Sequence, residues 1–151
     1  MEPAIITTPT ADQFEWCAQL MAASEPWLAL RRGIEECRHA VTHPEYLVHI
    51  AHTGDVLLGF IRIHPRGVAG SPYIASIAVA AEARSRGVGS FLLRHAEQVF
   101  SHSRYIFLCV SSFNSRAVQL YERRGYSALG RLPDYVIDGA DEILMLKRLP
   151  A

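Results

Sequence analysis

The sequence predicts one α/β (α+β) domain spanning residues 1–151, with a mixed central sheet of about seven strands flanked by about four helices. Three observations lead to that fold class. The 151 residues are 50% hydrophobic and 20% charged, enough for an independent core and too apolar for a disordered chain. The apolar period switches from helical to strand-like near residue 46. A nearly all-apolar run at residues 72–80 then feeds a glycine-bearing loop and a helical stripe, as a strand covered on both faces does when it leads into a helix.

The elements follow in order. A short apolar segment at residues 4–7 reads as a first strand. Thr10 stands as an N-cap before residues 11–23, where Phe14, Cys17, Leu20 and Met21 recur at helical spacing. Ser24-Glu25-Pro26-Trp27 interrupts that stripe. Pro26 suits the first turn of a second helix running to about residue 42, and Pro44 prevents its continuation. Residues 46–52 and 56–64 are rich in apolar and β-branched types, and Thr53-Gly54-Asp55 between them predicts an antiparallel hairpin. Residues 65–71 read as a loop, and 72–80 as the central strand.

Residues 87–102 carry a helical stripe through Val88, Leu92, His95 or Ala96, and Val99. Residues 105–110 form a further buried strand. A short helix at 115–124 ends at Gly125, where a left-handed residue closes helices. Residues 126–132 and 142–149 are the last two strands, joined by a loop at 133–141. The predicted order is β-α-α-β-β-β-α-β-α-β-β.

Charge and cysteine content narrow the function classes. Fifteen basic residues balance fifteen acidic ones, so no global field draws the chain onto nucleic acid or a membrane. The bases are fourteen arginines and one lysine, Lys147. Cys17, Cys37 and Cys109 leave an odd thiol and form no metal spacing, which fits a reducing compartment. No apolar run is long enough to span a bilayer, and Met1-Glu2-Pro3 lacks the order of a signal peptide. The expectation is a cytoplasmic protein with no metal.

The segment from Ile77 to Ser90 carries the most chemistry. A buried strand runs into a loop bearing Arg84, Arg86, Gly87 and Gly89, and the loop opens a helix. The first helical turn has free N–H groups and the positive end of the macrodipole, and glycine removes the β-carbons that would hold an anion away. Those features suit a phosphate cradle, and they equally suit a tight strand-to-helix turn. A Walker loop is excluded because no Lys-Ser or Lys-Thr follows Gly89, and the dinucleotide fingerprint lacks its third glycine.

The same segment resembles the acetyl-CoA-binding motif of the GCN5-related N-acetyltransferase (GNAT) superfamily, Arg/Gln-x-x-Gly-x-Gly/Ala, with Arg84, Gly87 and Gly89 at its defining positions. A second segment, from Asn114 to Tyr126, resembles the family's Asn-x-x-Ala-x-x-Leu-Tyr-x-x-x-Gly-Phe pattern, with Tyr126 for phenylalanine. The resemblance implies an acetyl-CoA-dependent N-acetyltransferase acting by direct attack of a primary amine, of a small molecule or a peptide, in a ternary complex. A homodimer is compatible with it. The alternative is a module that senses acyl-CoA without turnover.

The resemblance also implies the site. Pantetheine would pair with the strand end Ile77-Ala78-Val79, and a backbone N–H near Val79 would face the thioester oxygen. Pyrophosphate would rest on the amides of Arg84, Ser85, Arg86, Gly87, Val88, Gly89 and Ser90. Asn114 would bond pantetheine or cap its helix, and Ala117 would allow close approach. Tyr121 would serve as the general acid for the departing thiolate, or as an aromatic packed beneath the cofactor. No carboxylate occupies the positions where related enzymes carry a base: residues 73–79 hold no acid, and the position five before Asn114 is Cys109. Glu25, Asp134 and Asp141 are the distant candidates, beside a water relay, and no base is assigned. Cys109 reads as a packed thiol, the scattered histidines as structural, and Trp27 as core or as a wall for an acceptor.

Overall fold

The computed structural model describes residues 2–150; Met1 and Ala151, the ends of the expected domain span, lie outside the described residues. The strands are β1 (Ala4–Ile6), β2 (Leu47–Thr53), β3 (Val56–Val68), β4 (Ser71–Val79), β5 (Tyr105–Ser111), β6 (Ser127–Ile137) and β7 (Ala140–Arg148). The helices are α1 (Ala11–Ala22), α2 (Ile34–Thr42), α3 (Val88–Val99) and α4 (Ser115–Arg123). The strands form one seven-stranded sheet in the order β1-β2-β3-β4-β5-β7-β6, parallel only between β4 and β5. The predicted order of elements is the observed one.

Alternation along the strands divides the core into two layers. Ile61 and Ile63 of β3 pack with Ile74, Leu108 and Met145 under α3, where Leu92 and Leu93 are wholly buried. Phe60 points the other way and joins Ile50, Ala78, Cys17 and Val41 under α1 and α2. Fully burying one such side chain contributes about 1.5–3 kcal/mol, so these two layers hold the sheet against its helices. Thr10 caps α1 as expected. Its Oγ1 accepts from the Gln13 N–H at 3.2 Å while its own N–H donates to Gln13 Oε1 at 2.9 Å.

Three segments depart from the sequence expectation. The second helix begins at Ile34 rather than Pro26. Residues 25–31 instead form hydrogen-bonded turns that end where Arg31 adopts a left-handed φ of 57°, and Gly33 then starts α2 in extended backbone. The expected loop at 65–71 is mostly strand. β3 and β4 continue to a two-residue turn at Ala69-Gly70, whose φ values of 50° and 81° match the strand twist. Pro65 is tolerated because β2 ends its pairing at Ile63, and the ladder is irregular between His64 and Val68. The expected loop at 133–141 is likewise a hairpin, closed by Gly139 and irregular between Leu132 and Ile137.

The end of α4 shows how its sequence pattern works. Gly125 has φ 95°, its N–H donates to the Glu122 carbonyl at 3.1 Å, and the Tyr126 N–H donates to the Tyr121 carbonyl at 2.9 Å. That is the Schellman arrangement, and its usual apolar contact is made by the Tyr121 and Tyr126 rings, 6.1 Å apart. Tyr126 Oη donates to Glu97 Oε2 at 3.0 Å, and Lys147 Nζ donates to Glu97 Oε1 at 2.9 Å, tying α3 to the residue before β6 and to β7. No helix among the described residues is long and apolar enough to cross a membrane.

Candidate functional site

The one parallel pair in the sheet is short. β4 and β5 are in register only at Tyr73 with Phe107 and Ile74 with Leu108, after which the strands diverge. β4 keeps its pairing on the other side as far as Val79 with Gly59. The Ala80 N–H donates to the Leu58 carbonyl at 2.8 Å. In an antiparallel ladder that turns the main-chain groups of Ala78 and Ser76 towards β3 and those of Ile77 and Val79 towards the gap. Gly59 lets the strands meet here, since a β-carbon on it would lie 2.6 Å from the Ala78 carbonyl oxygen and 3.2 Å from Val79 Cα.

At the end of that edge, a 3₁₀ turn at Ala81–Ala83 leads into the glycine loop. Ser85 has φ 64° and Gly87, the N-cap of α3, has φ 79°. Nothing lies within 4 Å of where a Gly87 β-carbon would be. The first hydrogen bond of α3 runs from the Phe91 N–H to the Gly87 carbonyl, and among the described residues no backbone carbonyl accepts from the N–H groups of 85–90. The side chains of Arg84 and Arg86 are exposed, with Arg84 Nε donating to the Val79 carbonyl at 3.4 Å, and the loop borders a hollow of about 560 Å³ that Glu2, Arg86, Gly87, Ser90 and Arg94 line. The result is a concave, donor-rich and positively charged surface. Gly89 also serves the packing of α3 on α4: its bare Cα accepts Leu120, whose Cδ2 would sit 3.0 Å from an added β-carbon.

The gap between β4 and β5 opens into a cavity of about 390 Å³. Asn114, Ala117 and Tyr121 line it from one face of α4, at spacings of three and four residues. Asn114 is the N-cap of α4 but makes no side-chain capping bond, so its amide is not consumed by the helix. Tyr121 is only 8% exposed, and burial pushes its phenol up to about 12. Ile77 also lines the cavity, whereas Ala78 faces away into the core beneath α1 and α2.

The expected acids stand elsewhere. Glu25 Oε1 accepts from the Ala29 N–H at 2.8 Å, Asp134 Oδ1 from the Gly139 N–H at 2.7 Å, and Asp141 pairs with Arg131 at 3.1 Å. Each secures its own turn or hairpin. The carboxylate that lines the cavity on the sheet is Glu142, at the start of β7, where Ser111 directly opposite on β5 donates its hydroxyl to it. Sequence reasoning misses it because the signal is a cross-strand register, not a spacing along the chain. Glu36 of α2 also borders the cavity but is exposed and pairs with Arg32 at 3.6 Å.

Cys109 departs from the expectation of simple packing, because it is half-buried and borders the cavity. Its thiol is still a poor nucleophile: burial above all, with the Glu142 charge, raises its pKa. Trp27 is 8% exposed in the core beneath α1 and α2 and also borders the cavity with Met21 and Leu30. Pro26 in the turn before α2 and Leu132, Tyr135 and Val136 of β6 also border the cavity; residues 67–71 do not. Among the described residues no group of three His, Cys, Asp or Glu is placed to hold a metal ion.

Comparison with known proteins agrees with this architecture. Residues 9–126 match the model of the acetyltransferase (GNAT) family. The chain is 39% identical over 84 residues to an uncharacterized N-acetyltransferase of Methanocaldococcus jannaschii, and the match spans about half of either chain, 54% of each. A putative GNAT-family acetyltransferase from Desulfovibrio desulfuricans superposes with a TM-score of 0.83 at 19% identity, covering 98% of this chain and 99% of its own. An aminoglycoside 6'-N-acetyltransferase complexed with coenzyme A superposes with a TM-score of 0.81 at 18% identity, covering 98% of each chain. At these identities the likeness of the two structures is one of fold.

Proposed function

The chain belongs to the acetyltransferase (GNAT) family, and on that premise we propose that it transfers an acetyl group from acetyl-CoA to a primary amine by direct attack in a ternary complex. The observation that carries this is the divergence of β4 from β5, which leaves an open strand edge running from the cavity that Tyr121 lines towards the glycine loop at the end of β4. Acetyl-CoA supplies an activated acyl group on a long arm ending in a diphosphate. The residues fit such a molecule. The N–H groups of 85–90, with Arg84 and Arg86, hold the diphosphate, and the open space at Gly87 admits it. Ile77 offers its main-chain groups and Val79 its N–H to the amide-bearing arm as a neighbouring strand would, the Val79 carbonyl being engaged by Arg84, and Asn114 offers its free side-chain amide.

The chain's own groups then manage charge and protons. The Val79 N–H stabilises the negative charge that develops on the thioester oxygen. Glu142 accepts the proton lost by the attacking nitrogen, held in place by Ser111. Tyr121 donates a hydrogen bond to the departing sulfur. With its phenol near 12 and an ordinary thiol near 8.5, full proton transfer is uphill by roughly 5 kcal/mol, so Tyr121 acts by hydrogen bonding as charge develops. An acyl-CoA sensor requires neither a buried phenol at the cleft wall nor a carboxylate facing it.

The test is incubation with acetyl-CoA and a broad panel of amines, following thiol release and acetylated product by mass spectrometry. Stoichiometric release of thiol and product is expected. Stabilisation by acetyl-CoA with no transfer to any amine would replace the enzyme with the sensor.

A further inference from the structure

Arg62 occupies an unusual place for a cation. It sits on β3 two residues after Phe60, on the same sheet face, where the strand otherwise contributes to the core beneath α1 and α2. Its guanidinium is half-buried and borders the cavity. Its Nε donates to Ser76 Oγ at 3.2 Å, its Nη1 reaches the Ala40 carbonyl at 3.4 Å, and its Cζ lies 4.3 Å from the centre of the Tyr46 ring. None of these neighbours carries a negative charge, and among the described residues Arg62 forms no ion pair, whereas Arg32, Arg38 and Arg131 each do. Burial accordingly lowers its pKa. A guanidinium half withdrawn from water, with only neutral oxygens on its Nε and Nη1 and no counter-charge, is an incomplete arrangement. It has the fork geometry that matches a carboxylate.

Its position relative to Glu142 gives the missing charge a direction. Arg62 on β3, Tyr73 on β4, Cys109 on β5 and Glu142 on β7 stand on successive strands and border the same cavity. Tyr73 stands between the two charges in strand order and borders the same cavity. Apart from the exposed Arg32–Glu36 pair, which also borders the cavity, a cation stands towards one side in strand order and a carboxylate towards the other, with Met21, Trp27 and Leu30 as an apolar wall. The volume of about 390 Å³ lies in the range of pockets that enclose small ligands, roughly 300–1,000 Å³.

We propose that the acceptor is a small amine that itself carries a carboxylate, an amino acid with an apolar body, and that Arg62 is the residue that selects it by pairing with that carboxylate. This rests on reading the cavity as the acceptor end of the acetyl-transfer cleft. The carboxylate completes the charge balance of Arg62, and the amine is thereby presented towards Glu142 and the thioester.

The test compares phenylalanine, phenylalaninamide and phenethylamine as acceptors with wild-type protein, Arg62→Gln and Arg62→Lys. The amide is the informative control, because it removes the charge while leaving an amine that is neutral more readily, so amine basicity cannot favour the acid. Wild type is expected to show kcat/KM at least tenfold higher for phenylalanine than for the amide. Arg62→Gln should bring that ratio to about one through KM, Arg62→Lys should restore part of it, and acetyl-CoA affinity should not change in either. An amide used as well as the acid by wild type, or a preference that survives Arg62→Gln, would overturn the proposal while leaving acetyl transfer intact. The same compounds are also tested as stabilisers of the CoA-saturated protein. Stabilisation by the carboxylate alone, lost in Arg62→Gln, supports Arg62 even if no acyl transfer is found; no such stabilisation and no transfer would sink both.

Discussion

Removing one oxygen at Tyr121 separates its chemical role from its packing role. In Tyr121→Phe the ring remains, with its edge contact to Tyr126 and its place at the Schellman end of α4. The phenol is 8% exposed and is held near 12 by burial alone, with no charged neighbour to offset it. Folding stability should therefore change by less than about 1 kcal/mol. The lost contribution to catalysis is bounded by a hydrogen bond to a group becoming charged, about 1.5–3 kcal/mol, which is a roughly 10- to 150-fold drop in kcat. The assay is steady-state thiol release at saturating amine, beside direct titration of CoA and a thermal melt. CoA affinity should move by no more than about threefold. A fall in kcat below threefold, or an equal loss of kcat and CoA affinity, would refute the assignment and leave Tyr121 a packing residue. The elevated phenol also predicts that activity shows no alkaline loss from this group below about pH 11.

Glu142→Gln should lower kcat about 100-fold for an alkylamine acceptor and clearly less for an α-amino group, which is more readily neutral; equal losses for both in steady-state rates would remove Glu142 as the proton acceptor. Gly59→Ala drives a β-carbon into the Ala78 carbonyl and should cost about 1–3 kcal/mol, a drop in Tm of roughly 3–10 °C, whereas Gly130→Ala, with nothing within 4 Å, should not. Equal melts for the two would show that the β3–β4 contact yields easily. His49 and His95, in contact at 2.8 Å between Nδ1 and Nε2, both have lowered pKa values through burial. The unfolded chain takes up those protons first, so stability is complete above about pH 6.5 and falls as pH drops through and below it. Melts between pH 7.5 and 5.5 should show this, and His95→Asn should flatten the slope; an unchanged slope would place the acid sensitivity elsewhere.

Most of the fold is legible in local pattern. The α1 stripe with Thr10 and Gln13, the hairpin at Gly54 and the Gly125 stop each declare themselves within a few residues, because capping and turn chemistry are local. Pattern alone starts the second helix too early because Pro26 favours a helix start, and the left-handed residue that ends those turns is Arg31 rather than the glycine or asparagine that marks such a position. Residues 65–71 and 133–141 resemble loops because each carries proline and glycine, yet irregular ladders absorb both types at strand ends. Within the site, the cradle and the α4 face are readable as spaced residues on single elements. Glu142 and Arg62 are not, since their meaning arises only when β3 and β7 are brought to border one cavity.

Lys147 is the chain's one lysine, and its nitrogen is engaged with Glu97 between α3 and β7, with side-chain exposures of 22% and 13%. Thioesters slowly modify accessible side-chain amines without any catalyst. Guanidinium groups, which make up the rest of the basic complement, are too weakly nucleophilic to react that way. On the proposed function, the chain presents its acyl donor with scarcely a side chain to damage, and its charged surface should survive prolonged contact with that donor unaltered.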